Sequence, residues 1–287
     1  MPIIGKLVEM YRAQGIDICT GLASHDFNDL PTAPFTRFYK NGRSMTDGLG
    51  VAMQEIYLLE NLLRVYQPRH VLIIGNSLGW STLAMSLLLP ESRIVAMDTG
   101  LDETSRYGLG LTNRMAACAG LQNLRAVQGV SPQDVAAVVD SELDGRVDFA
   151  FIDGLHTNEQ VVLDFQAIAL KAAKDAVYLF HDVHLLILYD GIRRIEQLAG
   201  RKAQSLRATP SGMMLLYDPA QQPGLAEAMA VFSPPPEALV EVEREAQQYG
   251  FYRRWKRRLR RNSVFMKGVN ILRRAAGTKP MALPQKL

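Results

Sequence analysis

The chain has 287 residues, 48% of them hydrophobic and 21% charged, which is the composition of a globular protein with one sizeable core or two small domains. Its two cysteines, Cys19 and Cys118, argue against a disulfide scaffold or a cysteine zinc site and predict a reducing compartment. The N-terminal residues lack the apolar run of a signal peptide, and no apolar stretch reaches the length of a membrane span. We therefore expect a cytoplasmic protein.

The net charge of +3 hides an uneven distribution of charge along the chain. Residues 251–287 contain 12 of the 32 Lys and Arg residues and none of the 29 Asp and Glu residues. Residues 1–250 are therefore acidic overall. A basic tail of this kind commonly binds anionic partners such as phospholipid or nucleic acid.

The elements are predicted in chain order from their hydrophobic periodicity. Residues 1–48 are taken as an N-terminal cover segment, and residues 50–66 as a helix that ends before Pro68. The predicted strands are 70–74, 93–97, 124–128, 147–152 and 176–180, followed by a hairpin of 205–209 and 212–218. Because helical stretches separate the first five strands, we predict a doubly wound α/β domain over 49–218, with a mostly parallel sheet and an antiparallel edge strand.

Two helix starts and the end of the chain complete this prediction. Ser131, followed by Pro132, is predicted to cap one helix, and Thr157 with Gln160 to form the capping box of another. Residues 219–250 are predicted to be a linker and helix, and residues 251–287 a basic amphipathic tail.

A glycine-containing turn, Gly75-Asn76-Ser77-Leu78-Gly79, follows the first buried strand, and Asp98 ends the second. Glycines there let a ligand approach the backbone, and a carboxylate at the next strand end can accept hydrogen bonds from both hydroxyls of a ribose. The spacing differs from the G-x-G-x-x-G of dinucleotide-binding turns. The alternative is structural, with the glycines making the turn and Asp98 capping a helix. The ordered pair favours a nucleoside ligand.

Carboxylates and histidines follow the fourth and fifth strands. Asp153 and His156 come after one strand, and Asp182 and His184 come after the other. If these strands are neighbours, Asp153 and Asp182 face one cavity, and their mutual repulsion favours a bound divalent cation or a shared proton. Oxygen ligands suit Mg²⁺, and His156 has the chemistry of a general base. The alternative, helix caps and surface histidines, is preferred only for His184.

These segments resemble a known family. VLIIGNSLGWST, VAMD, FAFIDGLHTNEQVVLDF, and FHDV followed by GIRRIEQL are similar to the small class I S-adenosylmethionine-dependent methyltransferases that include macrolide-sugar O-methyltransferases and cephalosporin-hydroxylase-like proteins. The resemblance covers about residues 49–218. It implies a Rossmann-like seven-stranded sheet of order 3-2-1-4-5-7-6 with strand 7 antiparallel.

The resemblance also implies roles for individual residues. S-adenosylmethionine would contact Gly75, Asn76 and Gly79 with its amino-acid part, Asp98 with its ribose and Ser131 near its adenine, with Asp153 beside it. Asp153 and Asp182 would hold Mg²⁺, and His156 would be the catalytic base. The chain departs from the family at Ile73, where an acidic residue is common.

The function expected from these features is O-methylation of a hydroxyl on a small molecule or saccharide. The alternatives are a methyltransferase-like binding or scaffold protein without turnover, to which Ile73 points, and a nicotinamide-dependent oxidoreductase, against which the glycine spacing argues. In the tail, Tyr252, Trp255, Leu259, Met266 and Val269 lie near helical spacing between arginines. Such a helix can lie on an anionic membrane, here the inner face, or pack on protein. Nucleic-acid binding is not favoured, because the rest of the chain is acidic.

Overall fold

The computed structural model describes residues 2–45, 48–247, 263–275 and 277 of the chain. The chain divides into two compact units, Met1–Ser233 and Pro234–Leu287. Along the first unit, the helices and strands are α1 (Ile3–Arg12), β1 (Asp17–Cys19), β2 (Arg37–Lys40), β3 (Arg43–Ser44), α2 (Met53–Val65), β4 (His70–Ile74), α3 (Trp80–Leu88), β5 (Arg93–Asp98), α4 (Glu103–Cys118), β6 (Leu124–Gln128), α5 (Val135–Glu142), β7 (Val147–Ile152), α6 (Asn158–Ala169), β8 (Ala172–Phe180), α7 (Tyr189–Ala199), β9 (Gln204–Leu206), β10 (Met213–Leu216) and α8 (Pro223–Met229).

A seven-stranded sheet forms the centre of the first unit. Its strand order is β6-β5-β4-β7-β8-β10-β9, and β10 pairs antiparallel with both β8 and β9 while the first five strands are parallel. The predicted doubly wound fold, strand order and antiparallel edge are confirmed. The order reverses between β4 and β7, so the crevice where α/β sheets bind ligands opens at the carboxyl ends of these strands and of their neighbours β5 and β8.

Side chains alternate along the central strands and build one core on each face of the sheet. On β4, Val71 and Ile73 pack into a core that includes residues of α1, α2, α3 and α4, whereas Leu72 and Ile74 pack into a core with α5, α6 and α7. Because both faces of the sheet are covered, the strands are apolar throughout, as the sequence shows.

The N-terminal segment packs against the turn that follows β4. In α1, Leu7 and Tyr11 are fully buried, and the Tyr11 hydroxyl donates a hydrogen bond to the Leu78 carbonyl over 2.7 Å. Strands β1, β2 and β3 form a small antiparallel sheet, in which Phe38 packs its ring near those of Tyr11 and Trp80. The segment therefore supports the edge of the large sheet where the candidate site residues lie.

One predicted helix start is wrong and another is correct in part. Ser131 does not cap a helix, because α5 begins four residues later, and the Ser131 hydroxyl instead donates to the Asp164 carboxylate over 2.5 Å. A buried carboxylate needs a hydrogen-bond donor, so the Ser131 hydroxyl bonds to Asp164 and not to a backbone N–H of the following helix. Thr157 does cap α6 by accepting from the Gln160 N–H, but the Gln160 side chain donates to Asp164 and to the Ser131 carbonyl.

The second unit is described in part. Its helices are α9, over residues 236–247, and α10 (Ser263–Ala275). Of the predicted tail stripe, Tyr252, Trp255 and Leu259 lie outside the described residues. Within the described ranges of both units, no helix has the length and apolar character needed to cross a membrane.

Candidate active site

The turn after β4 is shaped by contacts within the protein. Gly75 has a φ of +94°, and a Cβ there would lie 2.1 Å from the Asp153 carbonyl oxygen. Gly79 has a φ of +88°, and a Cβ there would lie 2.1 Å from Oγ1 of Thr112 in α4. Both positions therefore require glycine for the backbone conformation and for close packing, whatever ligand the turn binds.

Helix α4 approaches the same turn closely. Gly108 is buried in this helix, and a Cβ there would lie 1.8 Å from the Ser77 carbonyl oxygen. Sequence reasoning missed Gly108, although a glycine inside a helical stretch is the signal of a close backbone approach.

Asp98 holds this turn through its carboxylate. Its Oδ2 accepts hydrogen bonds from the backbone N–H groups of Asn76 and Ser77, both over 2.9 Å. The buried Asn76 side chain donates to the Ser77 carbonyl and to the Thr112 hydroxyl. Ile73, at the position where the family often has an acidic residue, is fully buried in the core. The backbone of the turn is held instead by the carboxylate of Asp98 on the neighbouring strand.

A cavity of about 340 Å³ opens beside Asp98, and we call it the Asp98 cavity. Its lining includes Asp98, Ser131, Gln160 and Asp164, together with Gly75 and Asp153. Burial raises the pKa of Asp164, although Ser131 and Gln160 both donate hydrogen bonds to its carboxylate. The structure thus brings together the predicted ribose and adenine residues, whereas Gly79 lines neither this cavity nor the next.

A second cavity of about 340 Å³, the Asp153 cavity, shares Gly75, Ser77 and Asp153 with the first. Residues of the N-terminal segment form part of its wall, which is apolar at Phe35, Phe38 and Val51. Both cavities open at the carboxyl ends of the parallel strands. A ligand that lies across Gly75 can therefore occupy both.

Four side chains of the Asp153 cavity form what we call the charged cluster: Asp153, His156, His181 and Asp182. His156 Nε2 lies 3.1 Å from Asp153 Oδ1 and 3.4 Å from Asp182 Oδ2. His181 Nδ1 lies 2.9 Å from Asp153 Oδ1 and 3.4 Å from Asp182 Oδ1. The structure therefore brings the predicted base and both predicted metal ligands together and adds a second histidine.

Backbone conformation at the cluster is also unusual. Asp182 follows β8 directly and has a φ of 55°, a left-handed conformation that is uncommon for residues other than glycine. Residues held in this region concentrate at functional sites, where the surrounding structure imposes the conformation.

Glu55, which sequence reasoning missed, lies next to the charged cluster and contacts His181. It is fully buried, and its Oε2 lies 3.1 Å from His181 Nε2 and accepts the Ala52 N–H over 2.7 Å. Its Oε1 accepts the Ser211 N–H over 2.9 Å. The signal in the sequence was a glutamate on the apolar stripe of α2, next to Ile56 and one turn before Leu59.

The charges of the cluster stabilise one another. Burial alone would raise the pKa of Asp153, but the charges of His181 and His156 and the hydrogen bond with His156 lower it to about 2. Burial alone would lower the pKa of His156, but Asp153 and Asp182 raise it. The pKa of His181 is likewise raised, against burial, by Asp153 and Glu55. Asp153 is therefore a carboxylate at neutral pH.

The donors of the cluster fit a divalent cation. Among the described residues, the buried polar atoms without a hydrogen-bond partner include Nδ1 of His181 and Oδ1 of Asp182, which face each other. All four potential ligand atoms lie within 4.8 Å of one another. Buried polar atoms are almost always paired, so two unpaired atoms among converging carboxylates indicate a place for a ligand.

His184 does not belong to this cluster. Its ring nitrogens are paired with the hydroxyls of Tyr189 and Ser205, each over 2.8 Å. Burial, with a contribution from the charge of Arg207, lowers its pKa to about 4. These contacts agree with the structural role expected for it.

Comparisons with known proteins show which proteins the domain is similar to. Residues 72–183 match a family model described as a methyltransferase domain. No curated protein sequence matches the chain. Among solved structures, the O-methyltransferase TomG from Streptomyces achromogenes, in complex with SAM, is similar with a TM-score of 0.51 and 18% identity over 76% of this chain and 90% of that one. An O-methyltransferase from Bacillus cereus, in complex with SAH, gives a TM-score of 0.48 and 19% identity over 58% of this chain and 82% of that one.

The matched residues run from β4 to the segment after β8 and include the glycine turn, Asp98 and the charged cluster. The likeness to TomG is a likeness of fold. With the strand order and the two cavities at the carboxyl edge, these findings show a Rossmann-like fold in which residues 72–183 are similar to a methyltransferase domain.

Proposed function

We propose that the protein transfers a methyl group from S-adenosylmethionine to a hydroxyl of a small molecule or saccharide. The observation that carries this proposal is the pair of cavities that meet at Gly75 and Asp153. One cavity offers a carboxylate at a strand end, and the other offers a cluster of proton acceptors. This is the arrangement needed to hold a methyl donor beside an acceptor.

The cofactor would lie across the shared wall. Asp98, whose Oδ2 already holds the turn, would accept hydrogen bonds from the ribose hydroxyls with Oδ1. Ser131 and Asp164 would face the adenine in the Asp98 cavity. Because the two cavities share Gly75 and Asp153, a methyl donor in the Asp98 cavity would lie next to an acceptor in the Asp153 cavity.

The transfer needs positioning and one proton acceptor. S-adenosylmethionine would supply the methyl group and leave as S-adenosylhomocysteine, and the neutral imidazole of His156 would take the proton of the acceptor hydroxyl. Asp153 and Asp182 lie within 3.4 Å of His156 Nε2 and would stabilise the imidazolium that forms. A divalent cation bound at the charged cluster would act as a Lewis acid toward the acceptor oxygen.

Two measurements test this proposal. Calorimetry with S-adenosylhomocysteine should show binding, and NAD should show none, because the turn lacks the dinucleotide spacing. Methyl transfer from labelled S-adenosylmethionine should then be followed with a panel of hydroxyl compounds that includes sugars with vicinal hydroxyls. Binding of NAD without S-adenosylhomocysteine would contradict the proposal. Cofactor binding without turnover on any acceptor would support the scaffold alternative.

We also propose that the basic tail binds an anionic membrane surface, which would suit a lipid-linked acceptor. In α10, Ile271 and Leu272 expose 67% and 71% of their surface next to Arg273 and Arg274. Each Lys or Arg near an anionic surface contributes about 1 kcal/mol to binding, so the 12 basic residues of 251–287 suffice for recruitment.

Liposome flotation tests the tail. The full chain should float with anionic vesicles at low salt and remain in solution with neutral ones. A variant with Arg253, Arg254, Arg257 and Arg258 changed to Gln should lose most of this binding. If the unmodified chain stays in solution with both kinds of vesicle, the membrane proposal is wrong.

A further inference from the structure

We propose that the charged cluster binds a borderline transition-metal ion, such as Mn²⁺, Co²⁺ or Zn²⁺, in preference to Mg²⁺. The ligands would be Asp153, Asp182 and Nδ1 of His181, with Glu55 as the positioning residue of His181. This inference deepens the proposed function, since it names the ion at the same site. The binding preference can nevertheless be measured without any methyl transfer.

The distances between donor atoms support a single ion. His181 Nδ1 is 2.9 Å from Asp153 Oδ1 and 3.4 Å from Asp182 Oδ1. Two ligands bound at about 2.1 Å to one ion, at octahedral or tetrahedral angles, lie about 3.0–3.4 Å apart. Among the described residues, Nδ1 of His181 and Oδ1 of Asp182 have no hydrogen-bond partner although both are buried. They are therefore spaced as ligands of a common ion.

The contact that His181 makes through Nε2 determines which ring nitrogen can bind a metal ion. Nε2 lies 3.1 Å from Glu55 Oε2, so in the neutral imidazole the hydrogen at Nε2 donates to that carboxylate and Nδ1 presents its lone pair to the cluster. A metal ion would bind this form and displace the proton from Nδ1. Metal-binding histidines are commonly oriented in this way by a carboxylate behind them.

Glu55 is itself held rigidly in position. Its two oxygens accept the backbone N–H groups of Ala52 and Ser211. The rings of Phe35 and Phe151 meet the His181 ring edge to face, with centroids 6.2 and 5.9 Å away. His181 exposes only 4% of its side chain, so its ring has little freedom to turn away from the carboxylates.

The presence of an imidazole changes the expected ion. Mg²⁺ prefers oxygen ligands and retains several waters, and the carboxylates alone would suit it. Imidazole nitrogen suits first-row transition ions, whose affinity for mixed nitrogen and oxygen sites rises from Mn²⁺ through Co²⁺. A site that includes His181 is therefore expected to prefer a transition-metal ion over Mg²⁺, unlike a site made of oxygen ligands alone.

Calorimetric titration of the chelator-treated full chain with Mg²⁺, Mn²⁺, Co²⁺ and Zn²⁺ tests the inference. We expect one ion per chain and at least tenfold tighter binding of the three transition ions than of Mg²⁺. The Co²⁺ complex should show d–d absorption bands, and His181→Ala should change or abolish them. Glu55→Gln should weaken Co²⁺ binding about 10–100-fold, the usual effect of losing the carboxylate behind a ligand histidine.

Asp148→Asn is the matched control, because Asp148 is the carboxylate partner of His70 and lies outside the cluster. It should bind Co²⁺ as the unmodified chain does. If the unmodified chain binds Mg²⁺ as tightly as Mn²⁺, or binds none of the four ions, the inference is overturned. A folded Glu55→Gln variant with unchanged Co²⁺ affinity would overturn the role of Glu55. Binding of S-adenosylhomocysteine, measured in parallel, separates these failures from a failure of the proposed function.

Discussion

Two histidine–carboxylate pairs lie at opposite ends of the central sheet, and their surroundings differ. His70 begins β4 and pairs with Asp148 of β7 over 3.0 Å. His181 follows the end of β8 and pairs with Glu55 over 3.1 Å. As isolated pairs the two would look alike.

The difference lies in the atoms that remain. The Asp148 carboxylate also accepts the backbone N–H groups of Arg69 and His70 and the Nε hydrogen of Arg146, so both of its oxygens are satisfied. At the other pair, Nδ1 of His181 is buried without a hydrogen-bond partner. A pair whose donors and acceptors are all used stabilises the fold, whereas a pair with an unused buried atom is prepared for a ligand.

The largest expected effect is on the catalytic side of this comparison. His156→Ala should lower kcat about 10²–10⁴-fold once an acceptor is known, because a general base contributes that much. His156 also contacts the carboxylates of Asp153 and Asp182, so we expect a modest fall in the thermal unfolding temperature beside the large loss of activity. A large loss of stability together with a small loss of activity would show that His156 stabilises the fold and is not the catalytic base.

Asp98 combines both roles, and its substitution sharpens the comparison. Asp98→Ala removes the acceptor for the Asn76 and Ser77 N–H groups as well as the proposed ribose partner. We expect binding of S-adenosylhomocysteine to weaken by about 1.5–3 kcal/mol, the contribution of a hydrogen bond to a charged group. Calorimetry measures this change, and an unchanged affinity would leave Asp98 with its structural role alone.

Gly108 tests whether the turn itself positions the ligand. Gly108→Ala should push Ser77 away and lower the free energy of unfolding by about 1–3 kcal/mol, the usual cost of overpacking. It should also weaken S-adenosylhomocysteine binding. Gly110→Ala is the matched control on the same helix, because its Cβ would meet only the flexible Arg114 side chain, at 3.2 Å. Equal effects of both substitutions in urea unfolding would contradict this account.

The smallest effect is expected at the satisfied pair. Asp148→Asn should lower the free energy of unfolding by about 1–2 kcal/mol, because it weakens hydrogen bonds to a charged acceptor. Binding of metal and of S-adenosylhomocysteine should stay as in the unmodified chain. A change in either affinity would break the distinction between the two pairs.

The sequence was sufficient for the sheet but not for the whole site. Apolar strands separated by helical stretches indicate the parallel sheet and the edge at which Gly75, Asp98, Asp153 and Asp182 meet, and the family resemblance supplied the strand order. Glu55 escaped this reasoning because it comes from a helix 126 residues before its partner, and only the packing of α2 over the sheet brings the two together.

Ser131 shows the opposite error. Local spacing predicted a helix cap, since serine before proline is a common helix start. Its hydroxyl instead binds Asp164 of α6, 33 residues further along the chain. A tertiary contact to a buried carboxylate outweighed the local preference, and local sequence does not reveal such contacts.

The close approach of Gly75 to the Asp153 carbonyl has a thermodynamic consequence. The turn that would carry the cofactor and the turn that carries the charged cluster touch without an intervening side chain, and both cavities share Asp153. We expect displacement of one turn to displace the other, and occupancy of the two cavities to be coupled. By linkage, whatever factor a cation applies to the affinity for S-adenosylmethionine, the cofactor must apply equally to the affinity for the cation.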